Sequence, residues 1–360
     1  MPILSPERLR LVAALVLPVF CGPAFALDDI MVRESIMIKS ERAAQSVLLG
    51  VTRAGQRLVA VGERGIVLLS DDDGKSWRQA RVPASVTLTA VHFVSERLGW
   101  ATGHSGVLLQ TVDGGERWSK RLDGSQIAKI VLDAELAKNT SADPEQLAAA
   151  RRLVDEGPDK PLLDVLFLSP QVGFVAGAYG LLLRTDDEGK TWSPWQSRLP
   201  NVEGRHLNRM MSTNGGMYIV GERGAAFFSN DGGNSFTELR SPYAGSFFGV
   251  VGASSDAVII YGLRGNAFRV ARRGTQWEKV DASSPATFSA SVRLASGETI
   301  LANQIGTLWR TKEGALSWEQ LPGKTNSPVA AMAEATDGAI VVAGRGVSRV
   351  LPPEAGRASR

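Results

Sequence analysis

Residues 103–118 read GHSGVLLQTVDGGERW, and variants of this stretch recur along the chain. A glycine, replaced once by asparagine, opens each of seven copies, and an aromatic residue closes six of them fifteen positions later. The openings are Gly62, Gly103, Gly177, Gly221, Gly262, Asn303 and Gly344; the closers are Trp77, Trp118, Trp192, Phe236, Trp277 and Trp318. Successive closers lie 41, 74, 44, 41 and 41 residues apart, so one period near 41 runs through the chain with a single insertion. A fixed period of this length indicates repeated supersecondary units.

The second copy shows what one unit contains. Three apolar runs, at residues 88–94, 98–102 and 107–112, are separated by short turns, and Trp118 begins a fourth run. Four short strands joined by tight turns form an antiparallel meander, and a meander repeated about every 41 residues is typical of a propeller blade. With about 40 residues per unit over residues 40–350, the sequence predicts an all-β, seven-bladed β-propeller of four-stranded antiparallel blades with one helical insertion.

The third turn of each unit follows a pattern of its own, which we call the box. A hydroxyl stands first, a carboxylate third, a glycine fifth and an aromatic residue eighth. The four intact boxes are Ser70, Asp72, Gly74, Trp77; Thr111, Asp113, Gly115, Trp118; Thr185, Asp187, Gly189, Trp192; and Ser229, Asp231, Gly233, Phe236. We expect the carboxylate to accept backbone N–H bonds in the turn, the glycine to supply a positive φ, and the aromatic ring to pack between neighbouring sheets.

The last three units depart from this pattern. Unit five keeps only Gly274 and Trp277, and unit six has Ala315 in place of the glycine, so looser turns are expected there. The seventh unit stops before any box and lacks a fourth strand. Because an open sheet edge would remain, we predict that Ile30 to Ile38 supplies this strand and closes the ring.

The insertion lies between units two and three, at about residues 127–158. Alanine and leucine recur there at helical spacing, Asp143-Pro144-Glu145 is a plausible helix start, and Gly157-Pro158 a stop. One or two helices outside the sheets are predicted. They are interpreted either as a solvated excursion, which is favoured, or as a partner-binding arm.

The N-terminus has the features of an export signal. Arg8 and Arg10 precede the apolar run Leu11 to Phe20, and Ala24-Phe25-Ala26 is a small-x-small cleavage site, so residues 1–26 are expected to be removed. A short membrane anchor and lipidation at Cys21 are weaker alternatives, because the apolar run is short and Pro18-Val19-Phe20 matches a lipidation site poorly. The propeller is then expected at 27–352, followed by a disordered tail at 353–360. Since the chain has one cysteine, Cys21, the mature protein would hold no thiol.

Composition and spacing argue against several functions. Lys plus Arg is 40 and Asp plus Glu is 37, without the basic excess typical of a nucleic-acid binder. His92, His104 and His206 are isolated, so no metal site is expected, and no cofactor motif is present. The many aspartates are expected to be structural parts of the boxes rather than the two facing carboxylates of a glycosidase.

The second turn of several units carries an arginine directly before its glycine. These candidate partner-binding residues are Arg64, Arg223, Arg264 and Arg345. Equivalent turns of a propeller lie on one face, so we expect the four guanidinium groups to ring one mouth of the central channel, opposite the boxes. Glu63 and Glu222 could neutralise part of this ring, and pairing of each arginine with a neighbouring blade is an equally weighted alternative. A planar guanidinium suits a partner's carboxylate or phosphate.

The box resembles the Asp-box, or bacterial neuraminidase repeat, of sialidases, xyloglucan hydrolases, sortilin-type receptors and photosystem II stability and assembly factors. Over roughly residues 30–350 the chain resembles the last family most, whose members are secreted seven-bladed propellers with Gly-x-x-Gly before the box. This resemblance implies a non-enzymatic protein, located in the periplasm or a thylakoid lumen, that binds a membrane protein or complex through an arginine-rich patch, as a monomer.

Two alternatives remain at the level of the sequence. One is a sialidase-like or other glycoside hydrolase, although no Phe-Arg-x-Pro motif occurs and the chain has only four tyrosines. The other is a glycan-binding propeller, which would expose aromatic rings on one face. Trp100, Trp195 and Trp309 lie outside the boxes and are the residues to examine for such a role.

Overall fold

The computed structural model describes residues 34–350, apart from residues 142, 283, 312–316 and 326. The predicted signal at 1–26, the tail at 353–360 and the box turn of unit six therefore lie outside the described residues. Within them, no helix has both the length and the apolar character needed to cross a bilayer.

Seven antiparallel sheets follow one another along the chain, each a meander whose strands are ordered as in the sequence. Blade 1 contains β1 (Leu48–Ala54), β2 (Arg57–Gly62), β3 (Val67–Ser70) and β4 (Arg78–Gln79); blade 2 contains β5 (Leu88–Phe93), β6 (Gly99–Gly103), β7 (Leu108–Thr111) and β8 (Ser119–Leu122); blade 3 contains β9 (Leu162–Phe167), β10 (Gly173–Gly177), β11 (Leu182–Thr185) and β12 (Ser193–Pro194). Blade 4 contains β13 (Leu207–Thr213), β14 (Gly216–Gly221), β15 (Ala226–Ser229) and β16 (Thr237–Glu238); blade 5 contains β17 (Phe247–Gly252), β18 (Ala257–Gly262), β19 (Ala267–Ala271) and β20 (Gln276–Lys279). Blade 6 contains β21 (Phe288–Arg293), β22 (Thr299–Asn303), β23 (Leu308–Thr311) and β24 (Trp318–Gln320), and blade 7 contains β25 (Val329–Glu334), β26 (Ile340–Gly344) and β27 (Gly346–Val350). The predicted all-β, seven-bladed architecture is confirmed.

The hydrophobic core lies between the blades rather than in one centre. Seven clusters of buried apolar side chains each join two neighbouring blades, because the two faces of every sheet are apolar. The first strand of each blade packs against the first strand of the next, and β1 packs against β25. The seven first strands therefore surround a common axis, and the ring is closed.

Closure does not occur as the sequence analysis predicts. Residues 34–38 lie beside the outer strand of blade 1, where the Ser35 N–H donates to the Val82 carbonyl (2.8 Å) and the Ile38 N–H to Gln79 Oε1 (3.0 Å). Blade 7 has three strands in the described part of the chain. The prediction that Ile30 to Ile38 completes blade 7 is therefore wrong for residues 34–38, and residues 30–33 lie outside the description.

The ring is closed instead by packing between blades 7 and 1. One apolar cluster joins them, and the N–H groups of Gly346 and Val347 donate to the carbonyls of Ser46 (2.9 Å) and Ala44 (3.0 Å). Blades contact each other through sheet faces, so closure needs complementary faces rather than a shared strand.

The glycine that opens each repeat ends the second strand, and the structure explains the residue type. A Cβ on Gly62 would lie 2.0 Å from the Val47 carbonyl oxygen, and one on Gly221 would lie 2.0 Å from the His206 carbonyl oxygen. The loop entering each blade thus passes where a side chain would stand. In blade 6 Asn303 takes this position, and its side-chain amide oxygen accepts from the Thr307 N–H (2.9 Å).

Among the described residues, three α-helices accompany the sheets: α1 (Ser40–Ala43), α2 (Gly124–Ala137) and α3 (Pro144–Asp155). Helices α2 and α3 form the insertion between blades 2 and 3, and Asp143 caps α3 by accepting from the Glu145 N–H (2.9 Å). Ile127, Val131 and Ala150 join the cluster between blades 2 and 3. The helix pair is therefore packed on the propeller and not a freely solvated excursion.

Candidate protein-binding face

Strand order places two kinds of turn on opposite faces of the ring. Because successive strands are antiparallel, the first and third turns of a blade lie on one face, and the second turn lies on the other with the connections between blades. We call the first the box face and the second the arginine face. Arg64, Arg223, Arg264 and Arg345 all lie on the arginine face and are exposed.

The second turns share one backbone conformation in five blades. Arg64, Arg223 and Arg264 have φ values of 55°, 51° and 56°, and Ser105 and Tyr179 occupy the same position with φ of 56°. Since serine and tyrosine adopt it too, the left-handed conformation belongs to the turn and is not specific to arginine. It directs each of these side chains out of the sheet.

Arg345 differs from the other three. The turn of blade 7 is shorter, since Gly344 pairs directly with Gly346, and the Arg345 main chain forms a bridge with Val47 at the junction with blade 1. The sequence treats the four arginines as equivalent, but only three occupy the same turn position. All four lie outward from the first strands, so they form an outer ring around the axial opening and do not line it.

The glutamates beside these arginines have other partners. Glu63 accepts the Val47 N–H (2.9 Å), and Glu222 accepts the His206 N–H (3.2 Å), so each fixes the loop that enters its own blade. Arg223 pairs with Glu203 at 3.1 Å. Among the described residues, Arg64, Arg264 and Arg345 take part in no ion pair, which leaves three guanidinium groups available in solution.

The whole arginine face is basic outside the helical insertion. Its turns and blade-to-blade connections hold the cations Arg64, Arg81, Arg198, Arg205, Arg223, Arg240, Arg264, Lys324 and Arg345, against the acids Glu63, Glu203, Glu222 and Asp281. Large apolar side chains are exposed on the same face: Val47, Tyr179, Val202, Phe248 and Ile305. Exposed aromatic and apolar side chains among arginines are the usual composition of a protein interface.

The box turns form repeated hydrogen-bond networks on the opposite face. Asp72 Oδ1 accepts from the Ser70 hydroxyl (2.8 Å) and the Ser76 N–H (2.9 Å), and Asp72 Oδ2 accepts from the Ser76 hydroxyl (2.6 Å). These bonds, above all that from the Ser76 hydroxyl, lower the pKa of Asp72 to about 2. Asp187 and Asp231 have the same environment, and the hydroxyls of Thr191 and Ser235 lower their pKa to about 2 as well.

Two variations of the box show that the hydrogen bond from the aromatic residue to the glycine does not depend on the carboxylate. Asp113 accepts from the Thr111 hydroxyl (2.9 Å) and the Arg117 N–H (3.0 Å), but Arg117 offers no hydroxyl to its second oxygen. Blade 5 has no carboxylate in this turn, yet the indole N–H of Trp277 donates to the Gly274 carbonyl (2.9 Å) as the other box tryptophans do to their glycines. The looser turns expected in blades 5 and 6 remain a prediction.

Each box glycine touches the preceding blade. A Cβ on Gly74 would lie 2.9 Å from Val341 of blade 7, and one on Gly233 would lie 2.4 Å from the Phe174 ring of blade 3. The closing aromatics of the intact boxes are buried or half-buried in the inter-blade clusters. The glycines and aromatics of the boxes therefore form the contact between blades, whereas the carboxylates accept hydrogen bonds inside their own turns.

The other candidates do not form a site. Trp100 and Trp309 are buried, and Trp195 is half-buried with its indole N–H donating to the Gly233 carbonyl (2.7 Å), so none offers an open platform to a sugar. Desolvation lowers the pKa of the half-buried His92 to about 4. Residues 34–350, where described, contain no group of three or more His, Cys, Asp and Glu side chains able to hold a metal ion.

Comparison with known proteins matches this chain to one protein family. The family described as "Photosynthesis system II assembly factor YCF48" matches residues 69–134 and 144–354. The photosystem II assembly lipoprotein Ycf48 of Synechococcus sp. (strain CC9902) is 34% identical over 77 residues, which are 21% of this chain and 23% of that protein. The photosystem II assembly protein Ycf48 of Synechococcus sp. (strain JA-2-3B'a(2-13)) is 25% identical over 171 residues, 42% of this chain and 49% of that protein. The chain thus spans less than half the length of these relatives.

Solved structures show the same fold at low identity. A structure described as YCF48 bound to D1 peptide has a TM-score of 0.62 and 16% identity, covering 88% of this chain and 96% of that one. YCF48 from Cyanidioschyzon merolae has a TM-score of 0.61 and 14% identity, with coverage of 88% and 97%. A streptogramin B lyase reaches 0.65 with 12% identity, covering 88% and 97%. Because an enzyme fits as well as the assembly factors do, this likeness shows the fold and not the activity.

Proposed function

This chain belongs to the photosystem II assembly factor YCF48 family, and we propose that it is an exported, non-enzymatic propeller that binds a protein partner through its arginine face. The partner is a membrane protein or membrane complex, which the propeller helps to assemble or stabilise from the periplasmic or lumenal side. No cofactor takes part.

The observation that carries this proposal is the state of the arginines. Arg64, Arg264 and Arg345 are exposed and take part in no ion pair within the described residues, although Glu63 directly precedes Arg64. Glu63 and Glu222 are held by backbone N–H groups instead. A guanidinium donates two parallel hydrogen bonds to a carboxylate, so this face is complementary to an acidic segment of a partner.

The distribution of acids supports a role without catalysis. The box aspartates accept hydrogen bonds within their own turns, and a pKa near 2 keeps Asp72, Asp187 and Asp231 ionised, which suits a structural acceptor and not a general acid. A relative described as bound to a D1 peptide supports a protein as the class of partner. A glycan on this face, or turnover of a sugar, is the alternative that the experiment below distinguishes.

The test is a crosslinking pull-down from the native cell envelope with matched charge reversals. The double variant Arg64→Glu/Arg264→Glu changes two left-handed, exposed arginines on the arginine face. Its control, Arg272→Glu/Arg273→Glu, changes two left-handed, exposed arginines on the box face. Both variants alter net charge equally, so a difference between them reports the face.

We expect the arginine-face variant to lose at least about 90% of the captured partner, because each substitution removes a guanidinium–carboxylate pair and adds repulsion between two carboxylates. The box-face variant should capture as much partner as the wild type. Adding Arg223→Glu and Arg345→Glu should complete the loss. Equal capture by both double variants would contradict the proposal. Capture of glycan alone, or hydrolysis of a sugar by the wild type, would replace it.

A further inference from the structure

The first strand of every blade has a β-bulge at its second residue. Pairing with the second strand skips one residue at the same place in all seven blades, at the end nearest the arginine face. The skipped residues are Leu49, Thr89, Leu163, Asn208, Phe248, Ser289 and Ala330. They surround the axis because the first strands do, and we call them the axial ring. Bulges re-aim a side chain relative to the sheet.

Polar and apolar residues alternate around the axial ring, and the polar ones already have partners. The Thr89 hydroxyl donates to the Leu162 carbonyl (2.7 Å), the Asn208 amide to the Phe247 carbonyl (2.7 Å), and the Ser289 hydroxyl to the Val329 carbonyl (2.5 Å). Each of these bonds reaches the first strand of the next blade. The hydrogen-bonding groups of the ring are therefore used to join blades.

The remaining four members, Leu49, Leu163, Phe248 and Ala330, are apolar. None is fully buried, and the Phe248 side chain is 36% exposed although it lies at the centre of the molecule and not on its outer rim. A partly exposed aromatic ring is a common anchor in protein interfaces. The axial ring thus offers four apolar side chains, the hydrogen bonds of its three polar members join neighbouring blades, and basic turns surround it.

No described segment of the chain reaches this opening. Residues 34–38 are bound along the outer strand of blade 1. At the other end, Val350 pairs with Ile340, which places it on the box face, at the end of the outermost strand of blade 7. A second copy in face-to-face contact would bring two basic faces together, which like-charge repulsion disfavours.

We propose that the axial ring receives one bulky apolar side chain of the partner, and that this side chain is flanked by carboxylates which the surrounding arginines bind. Phe248 is the main contact. This inference rests on the proposed function, since it gives the chemical class of the segment that the arginine face binds: an acidic peptide with a central Phe, Leu or a residue of similar size.

The test uses two fluorescein-labelled peptides, EDEGFGEDE and EDEGAGEDE, whose binding to the full chain is measured by fluorescence anisotropy. The wild type should bind the Phe peptide about tenfold more tightly than the Ala peptide, which is the discrimination expected when a ligand lacks the apolar side chain that fills a pocket. Phe248→Ser should remove this preference, because the affinity for the Phe peptide should fall about tenfold when the aromatic contact is lost. Phe248→Leu, which keeps an apolar side chain, should retain most of it.

Two controls separate this inference from the proposed function. Val112→Ser changes an exposed apolar residue on the box face and should leave both affinities as in the wild type. Arg64→Glu/Arg264→Glu should weaken both peptides equally, which reports the arginine face alone. Equal affinity of the wild type for the two peptides, with the arginine effect intact, would overturn the axial anchor and leave the proposed function standing.

Three other results would also contradict the inference. The preference could survive in Phe248→Ser, which would place the anchor elsewhere. Neither peptide could bind, which would contradict the arginine face together with its anchor. Sedimentation could show a dimer that Phe248→Ser dissociates, which would assign the axial ring to a second copy of the chain.

Discussion

Substitutions at two adjacent glycines can measure how much the contact between blades at a box turn contributes to stability. Gly232 and Gly233 both have positive φ, 71° and 80°, in the box turn of blade 4. A Cβ at Gly232 would meet nothing within 4 Å, whereas one at Gly233 would lie 2.4 Å from the Phe174 ring of blade 3. Substituting alanine at each position imposes a similar backbone cost, and only Gly233→Ala also disturbs the neighbouring blade.

The expected free energies follow from these two terms. A left-handed alanine costs about 1–2 kcal/mol relative to glycine, and this is the whole effect expected for Gly232→Ala. Forcing a methyl group against a buried ring adds about 1–3 kcal/mol, since Phe174 is fully buried and has little room to move. Gly233→Ala should therefore lower the free energy of unfolding by about 2–5 kcal/mol.

Urea denaturation of the wild type and both variants, followed by the fluorescence of the tryptophans, measures this difference. The midpoint of Gly233→Ala should lie clearly below that of Gly232→Ala, with similar slopes for all three proteins. Near-UV circular dichroism under native conditions serves as the control that both variants fold. Equal midpoints for the two variants would refute the conclusion that the box glycine holds neighbouring blades together.

Three further predictions concern stability. Asp187 has a folded pKa of about 2, below its ordinary 3.8, so its ionised form stabilises the fold above about pH 4, and this stabilisation is lost as the pH falls through about 2. Thr191→Val removes the hydroxyl that lowers this pKa and should therefore reduce the drop in urea midpoint between pH 5 and pH 2.5. An unchanged drop would contradict the role of this hydrogen bond. Asp164 is buried and accepts from the Arg209 guanidinium (3.0 Å) and the Met210 N–H (2.6 Å), so Asp164→Ala should cost about 1–3 kcal/mol in urea unfolding by leaving the buried N–H without an acceptor, and no measurable cost would contradict this role. Gln79→Ala should speed hydrogen exchange at the Ile38 amide and lower the free energy of unfolding by only about 1 kcal/mol. Unfolding of the whole propeller in this variant would indicate that residues 34–38 close the ring after all.

The number of blades and the position of the boxes could be predicted from the sequence because they depend on local order. A turn needs its hydroxyl, carboxylate and glycine within eight residues, so Ser70 to Trp77 carries the whole pattern in one stretch. The helix start at Asp143 is equally local, since the capping side chain and the N–H it binds are two residues apart.

Closure and the binding face depend on contacts between distant residues, and there the sequence was less informative. The unit count shows that blade 7 lacks a strand, but it does not show that Gln79 binds the segment expected to fill the gap. The Arg-Gly pairs look alike in sequence, yet the turn holding Arg345 is shorter and joins blade 1. The axial ring could not be predicted from a single sequence, because its members, such as Phe248 and Thr89, differ in residue type and share a position only through strand register.

The most direct test of the central claim, that the arginine face binds a protein partner, is site-specific photocrosslinking in the native envelope. A photoreactive amino acid is placed at Ser105 or Ile305 on the arginine face, and at Arg273 on the box face as the control. Ser105 and Ile305 occupy second turns without an arginine, so the four arginines stay intact. We predict that both arginine-face positions crosslink to the same membrane protein and that the box-face position does not. Crosslinks only from Arg273, or none to a membrane protein from either arginine-face position, would contradict the account.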